Sequence, residues 1–165
     1  MEDRKEYTAD DFLRSVRVTR VEVIRCENRL KELRSQCEKV TAGYGDMTPG
    51  GGGDLHRDAL LIELAEQTNE MYDSIRRLLV WGRLVELFIG TLPDERHRTI
   101  LRLRYVDSFG WKHVQSEMKG YGFYYEERQV FNLHGSALAE ARRRFPAFLE
   151  KHPEITQKEE KRQCG

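Results

Sequence analysis

The chain has few of the residues that break or staple a backbone. Proline occurs four times in 165 residues, and cysteine three times, at Cys26, Cys37 and Cys164. Three is an odd number, and neither CxxC spacing nor paired histidines accompany it. That excludes a disulfide framework and a zinc knuckle and fits a reducing compartment. No apolar run approaches the roughly 20 residues that a membrane helix needs, and the N-terminus is not of the signal type. The expectation is a soluble, cytoplasmic protein with no membrane partner. The five histidines, at 56, 97, 113, 134 and 152, show no HxxxH or HExxH spacing. No catalytic constellation, metal site or cofactor site is expected, and His134 reads as a half-buried helix residue.

Net charge is also lacking, because 28 Lys+Arg stand against 28 Asp+Glu. Taken whole, that balance argues against a nucleic-acid binder. Its distribution argues otherwise: residues 1–92 hold 14 basic against 17 acidic residues, whereas residues 93–145 hold 10 against 7. The positive charge gathers in the segment with the most motif-like sequence.

What the chain does have is charge and helical periodicity. Charged residues make up 34% and apolar ones 39%, which suits an all-α, surface-rich protein. Thr8 to Asp11 has capping-box spacing with Asp in place of Glu, and no Pro or Gly follows until after Val40. Val16, Val23, Leu30 and Leu33 lie on a heptad seam within that stretch. Residues 41–54, TAGYGDMTPGGGGD, have no periodicity and seven residues that are Gly or Pro. They read as a flexible connector; no Gly-Lys-Ser/Thr follows to make the glycines a phosphate cradle. A second long helix is expected from about Leu55 to Ile89, with a seam of Leu64, Met71, Ile75 and Leu78. Two such helices form either an antiparallel, coiled-coil-like hairpin within one chain or a pairing between chains. Residues 1–92 are therefore expected to be a helical hairpin and oligomerisation element, making a homodimer or higher homo-oligomer.

The elements then shorten. Thr91 to Asp94 is a capping-box-like start with Pro in the first turn, leading into a helix over Asp94 to Val106. Gly110 to Met118 and Glu126 to about Arg144 follow as helices, and Pro146 and Pro153 are expected to stop regular structure. Residues 93–148 form the expected second domain, and residues 149–165 a disordered charged tail. On a wheel at 100° per residue, Val130, Leu133, His134, Ala137, Leu138 and Ala141 cluster on one side of the last helix. Arg128, Gln129, Asn132, Gly135, Ser136, Ala139 and Arg143 lie opposite. Arg can fork to guanine, and Asn or Gln can pair with adenine, as a major groove requires. The wheel alone leaves a solvated face equally open.

The sequence RYVDSFGWKHVQSEM followed by RQVFNLHGSALAEARRR resembles the C-terminal helix-turn-helix of sigma factors. More closely, it is similar to the phage-encoded proteins with a sigma-region-four-like module, related to the RinA/ArpU late-gene transcriptional regulators. The resemblance implies a sequence-specific, double-stranded-DNA-binding phage or prophage regulator, an activator of late genes, acting in the bacterial host cytoplasm. A small-terminase-like packaging subunit and an RNA-polymerase-binding adaptor are the alternatives. Lys112 and His113 fall where the supporting helix faces the phosphate backbone, and Arg128, Gln129 and Asn132 start the reading helix, with Ser136 and Arg143 further along its outer face. Trp111, Val114, Leu101, Leu103, Val130, Ala137 and Leu138 would be core. Three departures stand out: Gly110 replaces a Ser or Thr cap, Gln115 replaces a small residue, and the turn Lys119 to Tyr125 is longer than in the relatives. KGYGFYY within that turn also echoes an RNA-recognition signature, but that signature belongs on a central strand and its surroundings here are helical, so it reads as an aromatic turn.

Overall fold

The computed structural model describes residues 7–43 and 53–155, and all of their regular structure is helical. The central part of the glycine-rich stretch, the end of the charged tail and Cys164 lie outside the described residues. α1 spans Ala9–Gly43 and α2 spans Gly53–Gly90. α3, Glu95–Leu101, runs directly into a π-helical turn, Arg102–Val106. α4 is Trp111–Gly120 and α5 is Glu127–Lys151. Among the described residues no helix is long and apolar enough to cross a membrane.

Local chemistry sets these ends. The Asp11 N–H donates to Thr8 Oγ1 (3.2 Å) and the Thr8 N–H to Asp11 Oδ2 (3.3 Å), so Thr8 caps α1 as its spacing predicts. At α3 the cap is Asp94, whose Oδ1 accepts from the Arg96 N–H at 2.8 Å. Pro93 therefore sits before the cap and not in the first turn, where it had been expected. The Arg96 guanidinium holds the Asp94 carboxyl down to about 2.

Two compact units result. One comprises residues 18–80 and the other residues 1–17 with 81–165. The start of α1 and the end of α2 thus belong with the later helices. In the 18–80 unit, Arg29 pairs with Glu63, Cys26 Sγ lies 4.0 Å from Ser74 Oγ, and Arg77 lies 3.6 Å from Glu22. Numbers fall along α1 as they rise along α2, so the segments are antiparallel. Leu30, Leu33 and Leu60 are buried there, and Val23, Leu64, Met71, Ile75 and Leu78 are half-buried. Leu30 and Leu33 are thus already covered within the chain.

In the other unit, rings from three helices interlock. The Phe12 ring centroid is 5.7 Å from that of Phe88, 5.3 Å from Phe145 and 5.9 Å from Trp81, and Phe88 lies 5.0 Å from Phe148. Leu13, Val16, Val85, Ile89, Ile100, Leu101, Leu103, Val114, Met118 and Val130 complete this core. Val16, placed on the oligomer seam by its heptad spacing, is fully enclosed here.

α5 does not stop at Pro146. It passes through that proline and reaches Lys151, burying Phe145 and Phe148, with Ile155 enclosed just beyond. An interior proline costs about 3 kcal/mol. Two buried phenylalanines at roughly 1.5–3 kcal/mol each offset it. The structured region therefore continues past residue 148, and residues 149–155 are not a disordered tail.

Candidate nucleic-acid interface

α5 is fixed along one side and open along the other. Val130, Ala137, Ala141, Phe145 and Phe148 are buried, and Leu133, His134 and Leu138 are half-buried beside them. Arg128, Asn132, Gly135, Ser136, Ala139 and Arg143 are exposed, one above the next at helical spacing. Arg128, Asn132 and Ser136 make no side-chain hydrogen bond or ion pair among the described residues. A Cβ built on Gly135 would meet nothing within 4 Å. Internal packing therefore does not require a glycine there, although glycine inside a helix costs about 0.5–1 kcal/mol relative to alanine.

Other expected contact residues are partly engaged. The Glu126 N–H donates to Gln129 Oε1 at 2.8 Å, the return arm of a capping box, so Gln129 secures the start of α5. Arg143 pairs with Glu140 one turn back. On α4, Lys112 is exposed without an ion pair among the described residues. His113 stacks on Phe109 with centroids 4.1 Å apart, and its Nε2 lies 3.3 Å from the Glu117 carboxylate. No hydrogen bond or ion pair joins Lys112 or His113 to the α5 set.

The enlarged turn between α4 and α5 is an ordered structure. The Phe123 N–H donates to the Met118 carbonyl and the Gly122 N–H to the Lys119 carbonyl, each at 2.9 Å, which is the double closure of a Schellman cap. Gly122, at φ 84, supplies the left-handed residue this closure needs. Gln115 Nε2 donates across the turn to the Tyr125 carbonyl at 3.0 Å, so its length serves as a brace. Gly110 caps α4 without a side-chain hydrogen bond, as its identity implies. Tyr121 and Tyr124 project outward, 56% and 78% exposed.

Beneath the open face lies a cluster not evident from the wheel. The Tyr105 hydroxyl and His134 Nε2 share a 3.1 Å hydrogen bond, and the His134 ring meets Trp111 edge-on at 4.8 Å. The Arg104 guanidinium sits 4.5 Å over the Trp111 ring and donates to the Phe109 carbonyl at 2.7 Å. Burial, aided by Arg104, holds the His134 ring neutral, its pKa lowered to about 4. Phe131 closes the stack, 4.8 Å from Trp111 and still 43% exposed.

No protein-family model matches the chain, and no curated protein or solved structure matches it. The exposed face of α5 is therefore described by its own chemistry. It offers a forked cation, a carboxamide and a hydroxyl on one rigid helix face, with small residues between them. Such a face can donate to and accept from base edges. The helical repeat predicts that Arg128, Asn132 and Ser136 share one face, and all three are exposed there. Phe131, an exposed aromatic side chain, lies at the margin of that polar face.

Proposed function

We propose that the protein binds double-stranded DNA sequence-specifically through α4, the braced turn and α5, acting as a phage-type transcriptional regulator of late genes. The architecture this reading implies is a helical hairpin followed by a sigma-like helix-turn-helix. The observation that carries it is the exposed series Arg128, Asn132 and Ser136 around Gly135, without side-chain partners among the described residues, on a helix immobilised from behind. Arg128 is assigned to guanine and Asn132 to adenine, each pair discriminating by about 1–3 kcal/mol. Lys112 is assigned to phosphate. Selection of duplexes from random sequence by the full-length protein tests the reading. Arg128→Ala is expected to relax preference at one position, and Lys112→Ala to weaken all duplexes alike and flatten the salt slope by about one unit. A selection that enriches no duplex would overturn it.

One reading head with so modest a charge would gain from a second copy bound alongside. We assign that second copy to α2, where Ala65, Tyr72 and Leu79 recur at heptad spacing and are exposed. Mass measurement decides the form. A dimer fits regulation, whereas a large ring would favour the packaging alternative. Leu79→Arg is expected to shift either assembly toward the monomer.

A further inference from the structure

We infer that Phe131 reads the 5-methyl group of thymine, and so sets specificity at an A·T pair beside the bases assigned to Arg128 and Asn132. This rests on the DNA-binding reading above. Four observations converge on it.

Phe131 is a large apolar side chain, 43% exposed, on a helix whose core contact at that level is made by its neighbour Val130, 2% exposed. Leaving such a ring in water forgoes the burial that governs the rest of α5. Its position is the second observation. Phe131 follows Arg128 by three residues and precedes Gly135 by four, so it borders the open face at the level of both.

The third is rigidity. The Phe131 ring rests on Trp111 at 4.8 Å, and Trp111 is held in turn by the Arg104 guanidinium at 4.5 Å and the His134 ring at 4.8 Å. A ring buttressed in this way loses little freedom on contact with a partner. The fourth is chemical. Of the groups that the four base pairs present in the major groove, the thymine methyl is the apolar one, and phenylalanine is among the side chains that meet it. The open space at Gly135 lets the helix backbone come close enough for that contact.

Deoxyuridine differs from thymidine only by that methyl, so the test replaces each thymine of the selected duplex in turn. The wild-type full-length protein is expected to lose about fourfold in affinity at one position, the worth of one buried methyl. Phe131→Ala is expected to bind the thymine and uracil duplexes equally. Phe131→Leu, which keeps an apolar contact and guards against loss of the fold, is expected to retain part of the discrimination. Arg128→Ala should bind more weakly yet still distinguish thymine from uracil. If uracil is harmless to the wild type at every position, or as harmful to Phe131→Ala as to the wild type, the Phe131 assignment is overturned while the selected duplex keeps the DNA-binding reading intact. A selection that enriches nothing overturns both.

Discussion

The two compact units are built from the same kind of element and held by different means. Within residues 18–80, two helix segments lie antiparallel over a narrow aliphatic seam edged by Arg29–Glu63 and Arg77–Glu22, and much of their apolar surface stays half-buried. In the other unit, short and long helices converge on interlocked rings, and the largest fully enclosed side chains among the described residues lie here, Leu33 excepted. Surface ion pairs contribute about 0–1 kcal/mol each. A fully buried phenylalanine contributes several times that. α1 and α2 are therefore held by their seam, whereas α5 is fixed by an aromatic core.

The largest expected effect tests that difference directly. Phe12→Ala removes the ring that touches Phe88, Phe145 and Trp81, and should cost about 3–5 kcal/mol by chemical denaturation. Leu33→Ala, in the other unit, should cost about 2–5 kcal/mol. Hydrogen exchange then separates them. Phe12→Ala should lower protection throughout α5, and Leu33→Ala should lower it in α1 and α2 between residues 18 and 80. If both variants lower protection in the same helices to the same degree, the two units are one cooperative body and the comparison fails.

How much was legible in the sequence follows the same division. Periodicity and caps are local signals, so both long helices, the Thr8 cap and the weak Gly110 cap could be read directly. The 3.6-residue repeat also placed Arg128, Asn132 and Ser136 on one face. The ring core could not be read, because Phe12, Phe88 and Phe145 meet only through tertiary folding and no repeat marks their pairing. For that reason local signals predict a stop at Pro146, which α5 passes through. A proline forbids one hydrogen bond locally; two buried phenylalanines decide the outcome globally. Gln129 illustrates a readable signal overlooked: the spacing of Glu126 and Gln129 is that of a capping box, and it competes with any role in base reading.

Acid should discriminate the units with a smaller effect. His134 lies in the ring-bearing unit, and its folded pKa of about 4 is below the ordinary value of 6.5. Its neutral form is the one the fold accepts, so the unfolded chain takes up a proton first as pH falls. The stabilisation is complete above about pH 6.5 and is lost progressively as pH falls to about 4. Water still reaches this half-buried ring, so the loss should be on the order of 1–2 kcal/mol, short of what a fully enclosed ring would show. His134→Gln keeps a hydrogen-bonding partner for Tyr105 and should flatten the stability profile in that window. A variant that retains the full acid slope would place the titration elsewhere.

The smallest expected effect separates packing from recognition within the ring-bearing unit. Gly82 and Gly135 both lie inside long helices, and a Cβ on either would meet nothing within 4 Å. On stability alone they should behave alike, each Ala substitution adding about 0.5–1 kcal/mol by favouring the helix. They differ in what lies outside. Gly82 is on α2, and the base contacts are assigned to α5, so Gly82→Ala should leave affinity for the selected duplex unchanged. Gly135 sits between Asn132 and Ala139 on the open face of α5, where a larger side chain would hold the backbone away from the base edges. Gly135→Leu should therefore remain folded, gain helix stability in a thermal melt, and bind the duplex at least tenfold more weakly, a loss of about 1.4 kcal/mol. Stability rising while binding falls is a signature that a packing role for Gly135 would not produce. Undiminished binding by Gly135→Leu would mean that this face does not closely approach DNA.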